Sequence, residues 1–328
     1  MSTISASAPL DAHAPAAAPE AGVPAGTSGT RLALSFEVMP PRSAAQQERS
    51  GALLELLASY DPDYVAVTSA VGTGWSAGTA AFIEQLAATT RLRPLAHLTC
   101  TAAPREELTE WIERFIDAGV RGFLAVRGDL AAGQSAPPRG HLAHADALVA
   151  LLRAVERGQV ARLCAGRLAI GVAAYPSGHP ESRHPEEDID VLAAKQRNGA
   201  DFAITQLFFD PALITAVARR ARLAGVTLPI IPGIMPITGT ARLQRMCRLS
   251  GLTPPPHISQ ALAAARSPAE EYDIGLDLTA DFVDELITAG VPGLHFYTFN
   301  DPTTITELLS RLRPATLARL TADRKDLP

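Results

Sequence analysis

Cysteine is scarce in this chain of 328 residues: Cys100, Cys164 and Cys247 stand far apart and are odd in number. That excludes a disulfide framework and a cysteine-rich zinc site, and it suits a reducing cytoplasm. No His-x-x-x-His or equivalent ligand cluster occurs and the His and acidic residues are scattered, so no metal is expected. No dense Lys/Arg block occurs and the formal net charge is −5, which argues against a nucleic-acid partner. No apolar run reaches the length of a membrane span, so no membrane partner is expected. Also missing are a Gly-x-Gly-x-x-Gly turn after the first apolar run and a Gly-x-Ser-x-Gly elbow, which weakens a dinucleotide-binding open sheet and a serine hydrolase.

What remains is a chain with 47% apolar and 19% charged residues, the balance of a globular enzyme. Residues 1–30 are Ala, Pro, Ser and Gly with almost no large apolar side chain. Such a segment cannot bury enough surface to offset its ordering entropy, and a disordered extension is expected there. It lacks the basic start and apolar centre of a secretory signal. Residues 31–328 are expected to form one domain.

Eight strand-like apolar runs follow: Leu32 to Met39, Tyr64 to Ala70, Leu95 to Cys100, Gly122 to Val126, Leu168 to Tyr175, Phe202 to Phe209, Pro229 to Met235 and Gly293 to Phe299. Helical spacing lies between most of them, as in Arg105 to Ala118 and Pro211 to Ala224. The gap Pro236 to Pro292 has room for two or more helices, the last over Ala280 to Ala289. Strands alternating with helices predict a parallel sheet, and eight such units predict a single-domain α/β protein, a (β/α)8 TIM barrel. A doubly wound open sheet is the alternative.

A barrel places chemistry at the carboxyl ends of its strands. The unusual residues fall there: Glu37, Thr68, His97 and Thr99, Arg127-Gly128-Asp129, Tyr175 and His179, Gln206, and His295, Tyr297 and Asn300. Alternation points Glu37 into the barrel or towards its top, where a poorly solvated carboxyl suits a general acid. A salt bridge is its plain alternative. Asp129 is either a site carboxylate or half of a surface turn. His97 on an apolar strand is by default a hydrogen-bonded core histidine. Gln206 ends the sixth run beside aromatic rings; it suits the reading of a flat heterocycle, or it caps the following loop.

Seven motifs sharpen this. Phe36-Glu37-Val38-Met39-Pro40-Pro41, Ala96-His97-Leu98-Thr99-Cys100, Ala125-Val126-Arg127-Gly128-Asp129, Tyr175-Pro176-Ser177-Gly178-His179-Pro180-Glu181, Ile204-Thr205-Gln206-Leu207-Phe208-Phe209-Asp210, Pro232-Gly233-Ile234-Met235-Pro236 and Leu294-His295-Phe296-Tyr297-Thr298-Phe299-Asn300 occur in that order over Leu32 to Arg313. Together they resemble the methylenetetrahydrofolate reductase family, and its catalytic barrel alone. The resemblance implies a (β/α)8 barrel that binds FAD at its mouth. NADH or NADPH reduces the flavin, and 5,10-methylenetetrahydrofolate then takes the hydride to become 5-methyltetrahydrofolate. It implies that Glu37 is the acid that opens the folate ring, that Asp129 steadies the developing cation, and that Gln206, Asp129 and Phe209 contact the substrate. Thr68, His97, Arg127, Gly128, Asp129, His144, Tyr175, His179, Ser182, Asp188 and Lys195 fall where the family contacts FAD. A diverged paralogue that is flavin-independent, or acts on another reduced pterin, is the alternative. Family members form several oligomers, so the resemblance allows a homo-oligomer without specifying one.

The chain departs from the family pattern at several positions. Ser69 and Ala70 replace an aromatic residue and a glycine, His144 replaces a tyrosine, and Val191 and Ala194 stand where polar or basic flavin contacts occur. Asp301 replaces the basic residue expected to hold the anionic folate tail, leaving Arg42, Arg242 or Arg245 to compensate.

Overall fold

The computed structural model describes residues 31–68, 78–130, 134, 136–161, 163 and 166–321. The predicted extension, Ser69, Ala70 and Cys164 lie outside them.

Nine parallel strands are ordered β7-β6-β5-β4-β3-β2-β1-β9-β8. They are β1 (Ala33–Val38), β2 (Tyr64–Val67), β3 (Pro94–Thr99), β4 (Gly122–Val126), β5 (Ala169–Ala174), β6 (Phe202–Thr205), β7 (Ile230–Ile231), β8 (Gly233–Ile234) and β9 (Gly293–Tyr297). The two ends of that order are one stretch of chain. β7 pairs with β6 and β8 pairs with β9, and only Pro232 separates them. Proline has no N–H for the ladder, which explains the break in the seventh predicted strand. Its carbonyl still accepts from His295 N at 3.0 Å. The sheet therefore closes as the predicted (β/α)8 barrel.

Each strand sorts its side chains by alternation. In β1, Leu34, Phe36 and Val38 are buried against the helix ring, in the large core cluster. Ser35 and Glu37 face the other way. A second, smaller cluster of Ala66, Leu95, Leu124 and Ile204 fills the lumen, with Tyr64 and Phe202 packed on it. Burial of each large core side chain contributes about 1.5–3 kcal/mol.

The outer layer is α1 (Ala44–Ser59), α2 (Thr79–Thr89), α3 (Arg105–Asp117), α4 (Ala145–Gly158), α5 (Pro185–Arg197), α6 (Pro211–Leu223), α7 (Thr240–Leu249), α8 (Pro256–Ala263), α9 (Pro268–Thr288), α10 (Pro302–Arg311) and α11 (Pro314–Thr321). Two strand exits use the same start signal. Asp210-Pro211 opens α6 with Asp210 accepting from Ala212 N at 2.9 Å, and Asp301-Pro302 opens α10 with Asp301 accepting from Thr304 N at 3.2 Å and Thr304 Oγ1 at 2.8 Å.

The last long helix begins at Pro268 rather than at the expected Ala280. Its Ser267 cap accepts from Glu270 N at 3.2 Å. Its first half packs Ile274 and Leu278 on the cluster around α7 and α8, while Leu276, Ala280, Val283 and Leu286 face the main core. Two apolar stripes on one helix blur the single period that the sequence reading sought.

α9 also holds the β8 exit. Thr279 Oγ1 accepts from Ile237 N at 3.1 Å and donates to Gly275 O at 2.7 Å. A Cβ on Gly275 would lie 2.2 Å from Ile237 O. Gly275→Ala should therefore lower stability by about 1–3 kcal/mol despite the better helix propensity of alanine. Urea unfolding of the two proteins measures it, and an unchanged midpoint would contradict this packing.

Candidate active site at the barrel mouth

Glu37 sits near the top of β1, half-buried with its side chain 20% exposed. Two imidazoles face it. His97 Nε2 from β3 lies 3.7 Å from Glu37 Oε2, and His295 Nε2 from β9 lies 3.8 Å from the same oxygen. Both ring nitrogens are buried with no hydrogen-bond partner among the described residues. His97 is thus not the satisfied core histidine of the plain reading. Its protonated form is disfavoured first by burial, against the pull of Glu37 and with a smaller push from His295.

The other face of His295 is fixed. Its Nδ1 lies 2.9 Å from Ser35 Oγ, and the Ser35 hydroxyl donates to Leu294 O at 3.3 Å. Ser35 thus anchors the ring by its Nδ1 edge and leaves Nε2 facing Glu37. Nothing in the sequence signals this contact between β1 and β9.

Tyr297 crosses the lumen. Its hydroxyl donates to Thr205 O at 2.8 Å, and Gly233 N donates to Thr205 Oγ1 at 2.9 Å. A Cβ on Gly233 would meet Thr205 O at 2.5 Å and Tyr297 Oη at 2.6 Å, so only glycine fits there. Burial, then Glu37, keeps the Tyr297 phenol well above its usual range.

Beyond β6, Gln206 N donates to Ala174 O at 2.8 Å, and the Gln206 side-chain oxygen accepts from Leu207 N at 2.9 Å. Its acceptor serves the loop, as the plain reading had it, and its amide NH2 stays available. Phe209 is half-buried against the cluster of Leu207 and Met235. Asp129 is exposed in the loop after β4 and its carboxylate makes no hydrogen bond among the described residues. Thr68 is half-buried beyond β2, where its N–H donates to Val38 O at 3.0 Å.

A cavity of about 360 Å3 opens beside β4, β5 and α5. Arg127, His144, Tyr175, His179, Ser182, Asp188 and Lys195 all line it, and so does Val191. Glu37, Asp129, Gln206, Phe209, Thr68, His97 and Gly128 do not. Gly128 has a φ of 81°, and a Cβ there would meet Thr101 Oγ1 at 2.2 Å, so the Arg-Gly-Asp turn packs tightly on the end of β3. Arg127 is held in a fork by Glu181, with Nη2 donating to Oε1 at 2.8 Å. Asp188 accepts from His179 N at 3.1 Å and Ser182 Oγ at 2.7 Å, and the His179 ring meets Tyr175 edge-on with centroids 4.6 Å apart.

Lys195 is buried and donates to Ala173 O at 2.8 Å. Burial pushes its ammonium down to about 8, against the opposing pull of Asp146 and Asp188. Between that value and the usual 10.5 the unfolded chain binds the extra proton, so this group makes stability rise with pH across the window and contributes no change below it. The rise should reach about 3 kcal/mol by pH 10.5. Denaturant midpoints of the native protein and Lys195→Met across pH 7 to 10.5 check this. Parallel curves would refute a buried, readily deprotonated amine.

Among the described residues there is no group of three His, Cys, Asp or Glu side chains able to hold a metal ion, and no helix is long and apolar enough to cross a membrane. Cys100 and Cys247 are buried free thiols, and burial pushes Cys100 up to about 12.

The family model for methylenetetrahydrofolate reductase matches residues 26–313. The 5,10-methylenetetrahydrofolate reductase of Pectobacterium carotovorum is 32% identical over 271 residues, covering 82% of this chain and 86% of its own. That of Escherichia coli is 31% identical, covering 82% and 87%. Methylenetetrahydrofolate reductase 1 of Schizosaccharomyces pombe is 28% identical, and the match covers 86% of this chain but 46% of that longer protein. A solved structure from Clostridium thermocellum, an uncharacterized protein that binds two copies of 5-methyl-5,6,7,8-tetrahydrofolic acid, shares the fold with a TM-score of 0.60 at 13% identity, covering 89% of this chain and 95% of its own. The chain therefore belongs to the methylenetetrahydrofolate reductase family of oxidoreductases.

Proposed function

We propose that this protein reduces 5,10-methylenetetrahydrofolate to 5-methyltetrahydrofolate, with NADH or NADPH as hydride donor and FAD as the bound carrier, in the cytoplasm and in supply of methionine synthesis. The observation that carries the reading is one shared cavity lined by Arg127, His144, Tyr175, His179, Ser182, Asp188 and Lys195, beside a barrel mouth that holds Glu37. Those side chains suit the flavin. Arg127 has the planar fork for a diphosphate, and its present partner Glu181 is 59% exposed, so the ion pair is weak enough to exchange. Tyr175, Ser182 and Lys195 add polar groups beside walls formed by Ala174, Ile189, Val191, Leu192, Leu213 and Val217. When bound, FAD supplies the hydride chemistry, and the chain supplies position and charge.

The proton step falls to Glu37. In its protonated form Glu37 carries the proton on a carboxyl whose Oε2 faces both buried imidazoles. Glu37 gives that proton to the folate amine that leaves as the five-membered ring opens. Asp129, exposed at the rim and without a hydrogen bond among the described residues, supplies negative charge for the iminium so formed. The Gln206 amide NH2 and the Phe209 ring serve the pterin.

Glu37→Gln should lower folate reduction by about 10²–10⁴-fold while NAD(P)H still bleaches the flavin at the native rate. Stopped-flow absorbance separates the two half-reactions, and folate turnover that survives the change would remove Glu37 from the acid role. The spectrum of the purified protein, before and after addition of FAD, tests the carrier. Stoichiometric oxidation of NADH by methylenetetrahydrofolate without bound flavin would replace it with direct hydride transfer.

A further inference from the structure

The chain has 27 arginines and two lysines, Lys195 and Lys325. Where a fixed positive charge is needed it uses arginine, which keeps its proton at any working pH. Among the described residues one arginine and one lysine are buried, Arg153 and Lys195, and their surroundings differ. The Arg153 guanidinium donates to Gly199 O at 2.9 and 2.8 Å, to Leu168 O at 3.0 Å, and to the carboxylates of Glu156 at 2.8 Å and Asp201 at 2.5 Å. That is a buried charge whose partners are in place.

Lys195 receives far less. Its one hydrogen bond among the described residues goes to the carbonyl of Ala173 at 2.8 Å, and no carboxylate lies within ion-pair distance. Asp188, seven residues earlier on α5, accepts instead from His179 N and Ser182 Oγ. Asp146 accepts from Asn198 Nδ2 at 3.4 Å. An ammonium has three donors to place, and a single neutral carbonyl meets one of them. A neutral amine suits that environment better than a charge does. The burial that lowers its value to about 8 acts in the same direction.

The amine is not sealed away. Lys195 lines the cavity of about 360 Å3 with Asp188, Val191 and Leu192, which share its face of α5 at spacings of three and four. Arg127 lines the same space, and its planar fork suits a phosphate once the exposed Glu181 carboxylate gives way. Tyr175, Ala174 and Val191 add walls for a flat ring. A desolvated amine beside an anion fork is the equipment for condensation with a carbonyl compound.

We propose that Lys195 is a nucleophilic amine that forms an imine with a phosphate-bearing aldehyde, whose phosphate is held by Arg127. The nitrogen lone pair attacks the carbonyl carbon, an amine proton passes to the carbonyl oxygen, and the carbinolamine loses water to leave a C=N bond. No oxidant or reductant takes part. Arginine cannot perform this step, which accounts for a lysine here in a chain that otherwise relies on arginine. The modification is distinct from the folate reaction and blocks it, because the adduct fills the cavity assigned above to the flavin.

Pyridoxal 5′-phosphate is the probe. The full chain is incubated with it, the imine is reduced to a secondary amine with borohydride, and peptide mass spectrometry locates the adduct. Lys195 should be labelled about 10–100-fold faster than Nα-acetyllysine in the same neutral solution, because more of its amine is unprotonated. Pyridoxal, which lacks the phosphate, should label Lys195 about tenfold more slowly. Lys195→Arg keeps the charge and should remove the adduct; melting temperatures show whether that variant is folded, and the native rate ratio carries the test where it is not. Adducts confined to Lys325 and the amino terminus, or Lys195 labelled no faster than Nα-acetyllysine, overturn the proposal, as does equal labelling by the two aldehydes. FAD added first should suppress labelling of Lys195. Rapid labelling that FAD leaves unchanged upholds the nucleophile and removes the flavin from this cavity.

Discussion

Closure of the sheet across Pro232 is the constraint on which the site depends. β7 belongs to the β6 side and β8 to the β9 side, and the carbonyl of Pro232 is the link that carries the ladder through a residue unable to donate. Without closure, β1 and β9 would lie beside β2 and β8 but far from β6. With it, Tyr297 reaches from β9 to Thr205 on β6, and Glu37 finds His97 on one side and His295 on the other. The polar residues of the lumen are distant in sequence because the geometry of a barrel brings every strand end to one rim.

The mouth divides into two regions of different character. One, around β4, β5 and α5, is a cavity with a paired arginine, a networked aspartate and a buried lysine. The other, around β1, β9 and α7, holds an acid between imidazoles and Arg242 over the ring of Phe299. Tyr175 lines the first and adds to the electrostatic field at Tyr297 in the second, so the two regions adjoin. Under the proposed function the carrier takes one side and the substrate the other, an arrangement that suits hydride transfer at their border.

Much of this was legible in the sequence, for identifiable reasons. Alternation in Leu34-Ser35-Phe36-Glu37-Val38 fixed which side chains enter the lumen, and the apolar runs fixed eight strands. Pro232 was visible, but its effect on the ladder depends on pairing with both β6 and β9. The α9 start was missed because the helix presents one stripe to each of two clusters. The Ser35–His295 contact spans most of the chain and obeys no local period, so no spacing rule could reveal it. The same holds for Glu181 as the partner of Arg127. Asp301 read as a carboxylate opposed to the folate tail, whereas the Asp-Pro pair is a helix start, the same signal as Asp210-Pro211 at the β6 exit.

The Arg127–Glu181 fork gives the cavity a built-in counterion. A phosphate bound here, as the flavin reading requires, would meet a guanidinium already neutralised and would trade places with the Glu181 carboxylate from the loop after β5. Net binding strength then reflects the contrast between two ion pairs rather than the full attraction of a bare cation. Such an exchange discriminates by shape and valence. A singly charged inorganic anion gains little over the resident carboxylate, while a diphosphate that also fills the apolar walls gains from both.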